Sequence, residues 1–239
     1  MIIDRFELPV GSIVADVTVK DIRNLHIGVY PPEGRVRVAA PMAMDRAAIH
    51  GALVIRLPWI KRQMLAFERQ PREGPREYRA GESHWFMGRR YRLRIAKHHR
   101  ISAVSVRGTH LEVAVRGEDD PKKVARCLER WRREQLRIRA EPLVERWSGI
   151  LGVENPDIGI KRMYTRWGSC VAHASRIWLN LALSRTPLKC LEYVIVHELL
   201  HFLVRAHDNN FTAILDRHLP DWRGSRAMLS ELPYATLER

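Results

Sequence analysis

Apolar and polar residues alternate in short runs from Ile13 to Leu57, with Val17 and Val19, Ile27 and Val29, and Val36 and Val38 each two positions apart. A period of two places such residues on one face of a strand, so this region is predicted to be β-rich. Pro31-Pro32-Glu33-Gly34 offers a fixed φ followed by a permissive glycine, which predicts a hairpin between the run ending at Tyr30 and the run beginning at Arg35. Between Met44 and Gln70 the positions of Ile49, Leu53, Ile60, Met64 and Phe67 predict a helix that Pro58 breaks or restarts. Residues 71 to 83, rich in Pro, Gly, Arg and Glu, read as an exposed connection. Alternation returns at Tyr91 to Ile95, Ser102 to Val106 and Leu111 to Val115, punctuated by His98-His99-Arg100 and Arg107-Gly108-Thr109. An antiparallel meander is predicted there.

The period changes at Asp120-Pro121, an N-cap residue followed by proline at the first helical position. Val124, Leu128, Trp131, Gln135, Leu136, Leu143, Val144 and Trp147 then form an imperfect stripe on a charged helix, with Pro142 as the expected point of division. Ile158-Gly159-Ile160 follows a turn-rich stretch. Arg162 to Trp167 is predicted as a strand ending at Gly168, paired in a hairpin with Arg176 to Leu181. Pro187 opens an apolar helix from Leu188 to about Val204, and Asp208 is placed to cap another helix reaching His218 before Pro220. Internal repeats, low-complexity tracts and heptads are not evident. The fold class expected is α+β, with an N-terminal antiparallel β-rich region over residues 1–119 and a helix-rich region over 120–239.

The length of 239 residues suffices for one large domain or two modest ones with real cores. A hydrophobic fraction of 46%, with 14 Gly and 13 Pro, excludes collagen-like and wholly disordered chains. Lys and Arg number 41 against 27 Asp and Glu, a net charge of +14 that attracts anionic partners such as nucleic acid, acidic protein or anionic lipid. No stretch reaches the roughly 18 to 20 apolar residues needed to span a bilayer, and Met1-Ile2-Ile3-Asp4 lacks the order of a signal peptide. The cytoplasm is the expected location. Cys127, Cys170 and Cys190 are odd in number and widely spaced without a CxxC pair, so free thiols are expected.

His197-Glu198-Leu199-Leu200-His201 lies inside an apolar helical run and matches HExxH. Residues four apart on a helix share a face, so His197 and His201 can direct their imidazoles to one ion. Glu198, adjacent, can hold a water beside a substrate carbonyl, take its proton and deliver it to the leaving amine. Zinc suits this chemistry because it lowers the pKa of water and polarises a carbonyl without changing oxidation state. A third protein ligand is required, and His207, six positions beyond His201, is the preferred one. Val204 stands where the HExxHxxGxxH pattern carries its central glycine, so a different turn must bring His207 back. His173 and His218 are rival imidazoles, and Glu192 and Asp208 rival carboxylates. Their ordinary roles are solvation, pairing or helix capping.

Trp167-Gly168-Ser169-Cys170 places an aromatic, a glycine turn and small polar residues before a pocket strand. Asn180 could orient a substrate backbone, and Tyr193 could fix the helix or donate toward substrate, although packing is the ordinary role of Trp167 and Tyr193. A thiol protease would need Cys170 within hydrogen-bonding reach of His173 or His197, and would leave the HExxH spacing unexplained. No phosphate loop or dinucleotide fingerprint accompanies Gly108 or Gly117, so no organic cofactor is implied.

Arg166-Trp167-Gly168-Ser169-Cys170, Ile177-Trp178-Leu179-Asn180, Tyr193 through His201, His207 and Leu219-Pro220-Asp221 occur in an order that resembles the YgjP-like metallopeptidase family, similar in outline to SprT-like proteins. Arg35-Val36-Arg37-Val38, Pro41, Trp59-Ile60 and Met87-Gly88-Arg89-Arg90-Tyr91 extend the likeness to roughly residues 20 to 230. The resemblance implies a minimal gluzincin-like core in which His197, His201 and His207 hold zinc and Glu198 activates water. This chain departs from it at Ala206-His207-Asp208, where the family has an Asn-His-Ser corner. Ala206 removes a polar brace from that corner, whereas Asp208 can cap the following helix.

The leading expectation is zinc-dependent hydrolysis of a protein or peptide substrate. The alternative is a basic protein that binds nucleic acid or another polyanion, with a structural or inactive zinc site. Arg130, Arg132, Arg133, Arg137 and Arg139 would be part of its basic band. Association with a membrane surface is a third class, disfavoured because that helix lacks a broad apolar face.

Overall fold

The computed structural model describes residues 2–30, 34–69, 76–98, 102–117, 120–163 and 165–231. Its described residues divide into two compact units, one within 2–69 and one within 76–231.

In the first unit, strands β1 (Ile2–Val10), β2 (Ile13–Lys20), β3 (His26–Tyr30) and β4 (Arg35–Pro41) form a sheet of order β1-β2-β4-β3. The expected alternation is realised: Ala15 and Val17 of β2, Val29 of β3, and Val36, Val38 and Ala40 of β4 are buried with Ile49, Leu53 and Ile60. β3 and β4 pair antiparallel with Tyr30 opposite Arg35, as the hairpin reading requires, although its turn at 31–33 lies outside the described residues. β1, not anticipated from the pattern, is joined antiparallel to β2 through Gly11 at φ +60°. The three core residues from 49 to 60 belong to α1 (Arg46–Arg69), a single helix of 24 residues that Pro58 does not break. Pro58 and Val54, whose carbonyl its ring displaces, are both exposed, where water can replace the lost bond.

The second unit opens with β5 (Ser83–Phe86), β6 (Arg89–His98), β7 (Ala103–Arg107) and β8 (His110–Arg116) in the order β5-β6-β8-β7. They do not make the expected meander, because β8 inserts between β6 and β7, parallel to the first and antiparallel to the second. The topology repeats that of the first unit: an antiparallel hairpin, a parallel central pair, an antiparallel edge and then a helix. No repeat of residues announces this duplication.

Helix α2 (Pro121–Leu151) follows. Asp120 caps its first turn by accepting from the Lys122 amide, and Gly152 at φ +68° ends it in the left-handed conformation. Pro142 does not divide it, for the reason that holds at Pro58: Pro142 and Ile138 are exposed. Its buried stripe of Val124, Leu128, Leu136, Val144 and Trp147 faces the sheet and the apolar helix near the C-terminus.

A second sheet has the order β10-β11-β9, from β9 (Asp157–Lys161), β10 (Gly168–Val171) and β11 (Arg176–Asn180). β10 and β11 form the expected hairpin, but the strand begins at Gly168 where it was expected to end, and Arg162 to Trp167 is connecting chain. β9 lies parallel to β11 on the other side. A short 3₁₀ turn (Leu181–Arg185) leads to helices α3 (Leu188–Leu200), α4 (Asn209–His218) and α5 (Trp222–Glu231). The architecture is α+β, with sheets toward the N-terminus that pair antiparallel except for one parallel central pair in each, and with the histidine cluster in the helical C-terminal part. No helix among the described residues is long and apolar enough to cross a membrane.

Candidate metal centre

Helix α3 is apolar nearly all round because it is covered: Cys190, Leu191, Val194, Ile195, Val196, Leu199 and Leu200 are all buried. Its last turn carries His197 and Glu198, and His201 is the capping residue. The chain then tightens, with the Leu203 and Val204 amides both donating to the Leu200 carbonyl at 2.9 and 2.8 Å. This turn replaces the glycine-assisted one and sends residues 205–207 back across the end of the helix. Asp208 then starts α4 by accepting from the Phe211 amide at 3.0 Å.

His197, His201 and His207 come together, each offering a ring nitrogen within 4.8 Å of the others. The Nε2 atoms of His197 and His207 are 3.0 Å apart. Two imidazole nitrogens on one zinc ion at about 2.0–2.1 Å each would stand roughly 3.4 Å apart in a tetrahedron, close to this separation. His201 Nδ1 lies 3.2 Å from the Val204 carbonyl. That oxygen only accepts, so Nδ1 carries the proton and Nε2 keeps its lone pair for a metal. Burial holds the His197 imidazole down to about 3, assisted by His201 and His207, and burial likewise lowers His201. Neutral imidazoles are the ligating form, and a donor set of three imidazoles suits zinc.

Phe211, in the first turn of α4, braces all three rings with centroids 5.0, 5.2 and 4.8 Å from those of His197, His201 and His207. It was not picked out from the sequence. Its only signal there is an apolar residue three positions after a capping Asp.

Glu198 is 6% exposed. Burial pushes its carboxyl up to about 7, against the opposing pull of the Arg166 guanidinium and the Cys170 amide that donates to it. The amide comes from β10, which approaches closely because its first residue is Gly168: a β-carbon there would meet Glu198 Oε1 at 2.6 Å. The Trp-Gly-Ser-Cys run thus has a concrete role, a strand laid against the carboxylate.

The rival ligands are engaged elsewhere or stand apart. Glu192 pairs with Arg146 and accepts from Trp147 Nε1 at 3.0 Å, and His218 packs edge-on against Trp147. Asp208 is the cap of α4, and His173 is exposed outside the cluster. Asn180 is fully buried, donating to the Met163 and Arg166 carbonyls at 2.8 and 2.7 Å and accepting from Ala182, so it shapes the chain beside the site and does not face substrate. Tyr193 stacks on Trp222 and meets His197 edge-on. Burial and the Glu198 charge raise the Cys170 thiol, the reverse of what a thiolate nucleophile needs. The basic band of α2 is interrupted: Arg132 is buried, Arg133 pairs with Glu129, Arg137 with Glu141, and Arg139 donates to Gln135.

No curated protein matches the chain. Among solved structures it is similar to the metallopeptidase zymogen of Methanocaldococcus jannaschii jannalysin, at 22% identity over 38% of this chain and 86% of that one, with a TM-score of 0.35. It is also similar to the metallopeptidase zymogen of Pyrococcus abyssi abylysin, at 20% identity over 38% and 90%, again with a TM-score of 0.35. The family described as YgjP-like, metallopeptidase domain, matches residues 24–232, so this chain belongs to the YgjP-like metallopeptidase family.

Proposed function

We propose that this chain hydrolyses peptide bonds with zinc held by His197, His201 and His207 and with Glu198 as the proton-transfer group. The observation that carries this reading is the convergence of three imidazoles beside a buried carboxylate on the same helical turn. When bound, zinc supplies a Lewis acid that polarises the scissile carbonyl and lowers the pKa of water. Glu198 accepts a proton from the attacking water as its oxygen bonds to the carbonyl carbon, then returns it to the amine as the C–N bond breaks. The enclosed Glu198 carboxylate is held in place for both transfers by the Cys170 amide and by Gly168 packed against it. β10 pairs only with β11 among the described strands, so its other edge offers backbone groups to an extended peptide.

The test is cleavage of a broad peptide library by zinc-loaded protein, by chelated and zinc-restored protein, and by Glu198→Gln. Cleavage that chelation abolishes, zinc restores and the variant lacks supports the reading. Stoichiometric zinc without metal-dependent cleavage overturns it. A cytoplasmic setting belongs to the same reading, supported by three free cysteines. Attraction to nucleic acid or another polyanion rests on the net charge of +14 and is tested by salt-dependent binding to the Glu198→Gln protein.

A further inference from the structure

Helix α1 buries one face against its own sheet through Ile49, Leu53 and Ile60. At about 100° per residue these three share a narrow arc. Val54, Ile55, Pro58, Trp59 and Leu65 fall on a second arc, about 140° wide, on the opposite side of the same helix. That arc is open to solvent: Ile55 is 81% exposed, Leu65 48%, Val54 47% and Trp59 38%, and Pro58 is exposed with them. A helix that is apolar on two opposite faces is ordinarily covered on both, and exposed hydrophobic side chains are unremarkable only when they stand singly. These five adjoin one another.

Charge selects the occupant. Arg56 and Lys61 border the arc on its two sides and Arg62 lies within it, all three exposed, and no Asp or Glu occurs between Arg46 and Leu65. A second copy of the chain docked through this arc would set these cations against their own kind. An anionic lipid surface meets both features at once, because headgroup phosphates take the cations and the acyl boundary takes the aliphatic side chains. Arg and Lys stems lie along apolar surface while their charges reach outward, and an indole at the edge of the arc suits the boundary between water and hydrocarbon. Pro58 limits the depth. The Val54 carbonyl that it leaves without a helical partner needs water or a headgroup donor, which the interface supplies and the hydrocarbon core does not.

We infer that α1 docks the chain on an anionic membrane surface, lying in the plane of the interface with Val54, Ile55, Trp59 and Leu65 at the acyl boundary and Arg56, Lys61 and Arg62 among the headgroups. The longer basic helix α2 has no comparable arc: among its described residues the exposed large hydrophobics are Ile138 and Ile150, about three turns apart. The inference goes beyond peptide hydrolysis and does not rest on it, since α1 belongs to the first unit and the metal centre to the second.

The test is flotation of the zinc-loaded full chain with vesicles of phosphatidylcholine alone and of phosphatidylcholine and phosphatidylglycerol in equal parts. Partition onto the anionic vesicles is expected, about tenfold weaker in Ile55→Glu and several-fold weaker in Arg62→Gln. Arg62→Gln decides the matter if Ile55→Glu does not fold. Brominated acyl chains are expected to quench the tryptophan emission of the parent protein more than that of Trp59→Phe, and equal quenching in the two would overturn α1 as the contact. No partition onto anionic vesicles overturns the inference. So does partition that both substitutions leave unchanged, because the attraction would then belong to the net charge of +14 at large. Dimerisation in sedimentation velocity that Ile55→Glu abolishes would assign the face to a second copy, and tighter binding of polyglutamate than of anionic vesicles would assign it to an acidic protein; either result overturns the inference.

Discussion

Gly168 stands so close to Glu198 that a β-carbon on it would lie 2.6 Å from Oε1 and 2.7 Å from Cγ of the carboxylate side chain. Both side-chain positions are enclosed, so the carboxylate cannot swing away without moving β10. Gly168→Ala is expected to lower kcat/KM by about a hundredfold, the scale of a 1 Å misplacement of a reacting group, while zinc stoichiometry stays at one per chain. Peptide cleavage and metal analysis of the same preparation check this. Unchanged cleavage would show that the contact does not position Glu198.

Asp208 links the metal centre to α4, since its side chain caps the turn that contains Phe211 and its neighbour is His207. Asp208→Ala is expected to destabilise the protein by about 1 kcal/mol through loss of the cap. Zinc affinity is expected to fall by about tenfold as the brace on His207 loosens. Competition with a chromophoric chelator measures the second effect, and the thermal midpoint measures the first.

The Glu198 carboxyl of the metal-free protein has a pH signature of its own. Its pKa is raised to about 7 from an ordinary 4.5, so the folded state binds the proton more tightly than the unfolded chain does. The resulting destabilisation is absent below about pH 4.5 and grows as pH rises through 7, reaching on the order of 3 kcal/mol. Metal-free Glu198→Gln is therefore expected to be more stable than the parent protein at pH 8 and equal to it near pH 4.5. Denaturant unfolding at both pH values tests the sign.

His84 behaves in the opposite sense. Burial and three arginines hold it near 3, below its ordinary 6.5, so it is neutral in the fold and takes up a proton on unfolding. Its contribution is intact above pH 6.5 and is lost as pH falls toward 3. His84→Gln is expected to flatten the decline of stability between pH 6.5 and 4, leaving the part due to His197. A decline of unchanged slope would place the acid sensitivity elsewhere.

The metal centre was legible because its chemistry requires local spacing: His197 and His201 share a helical face, and Asp208 is a capping residue before a new helix. The role of Gly168 was not, because the reason for a missing side chain is the carboxylate of a residue 30 positions away that folding brings against it. Phe211 was missed for a similar reason, since its value lies in three rings it meets only after the chain turns back. Strand existence followed from alternation at Val17, Val29, Val36 and Val113, but strand order did not. Period two says which face is buried, not which neighbour a strand takes, so β8 beside β6 had no signature. Pro58 and Pro142 misled because the effect of proline on a helix depends on whether its displaced carbonyl meets water.

X-ray absorption at the zinc edge, on the zinc-loaded protein and on His207→Ala, tests the central claim most directly. The account predicts three imidazole nitrogens at about 2.0–2.1 Å with a light-atom ligand completing the shell, and one imidazole fewer in the variant. An unchanged spectrum in His207→Ala, or a shell with fewer than three imidazoles in the parent protein, would contradict it.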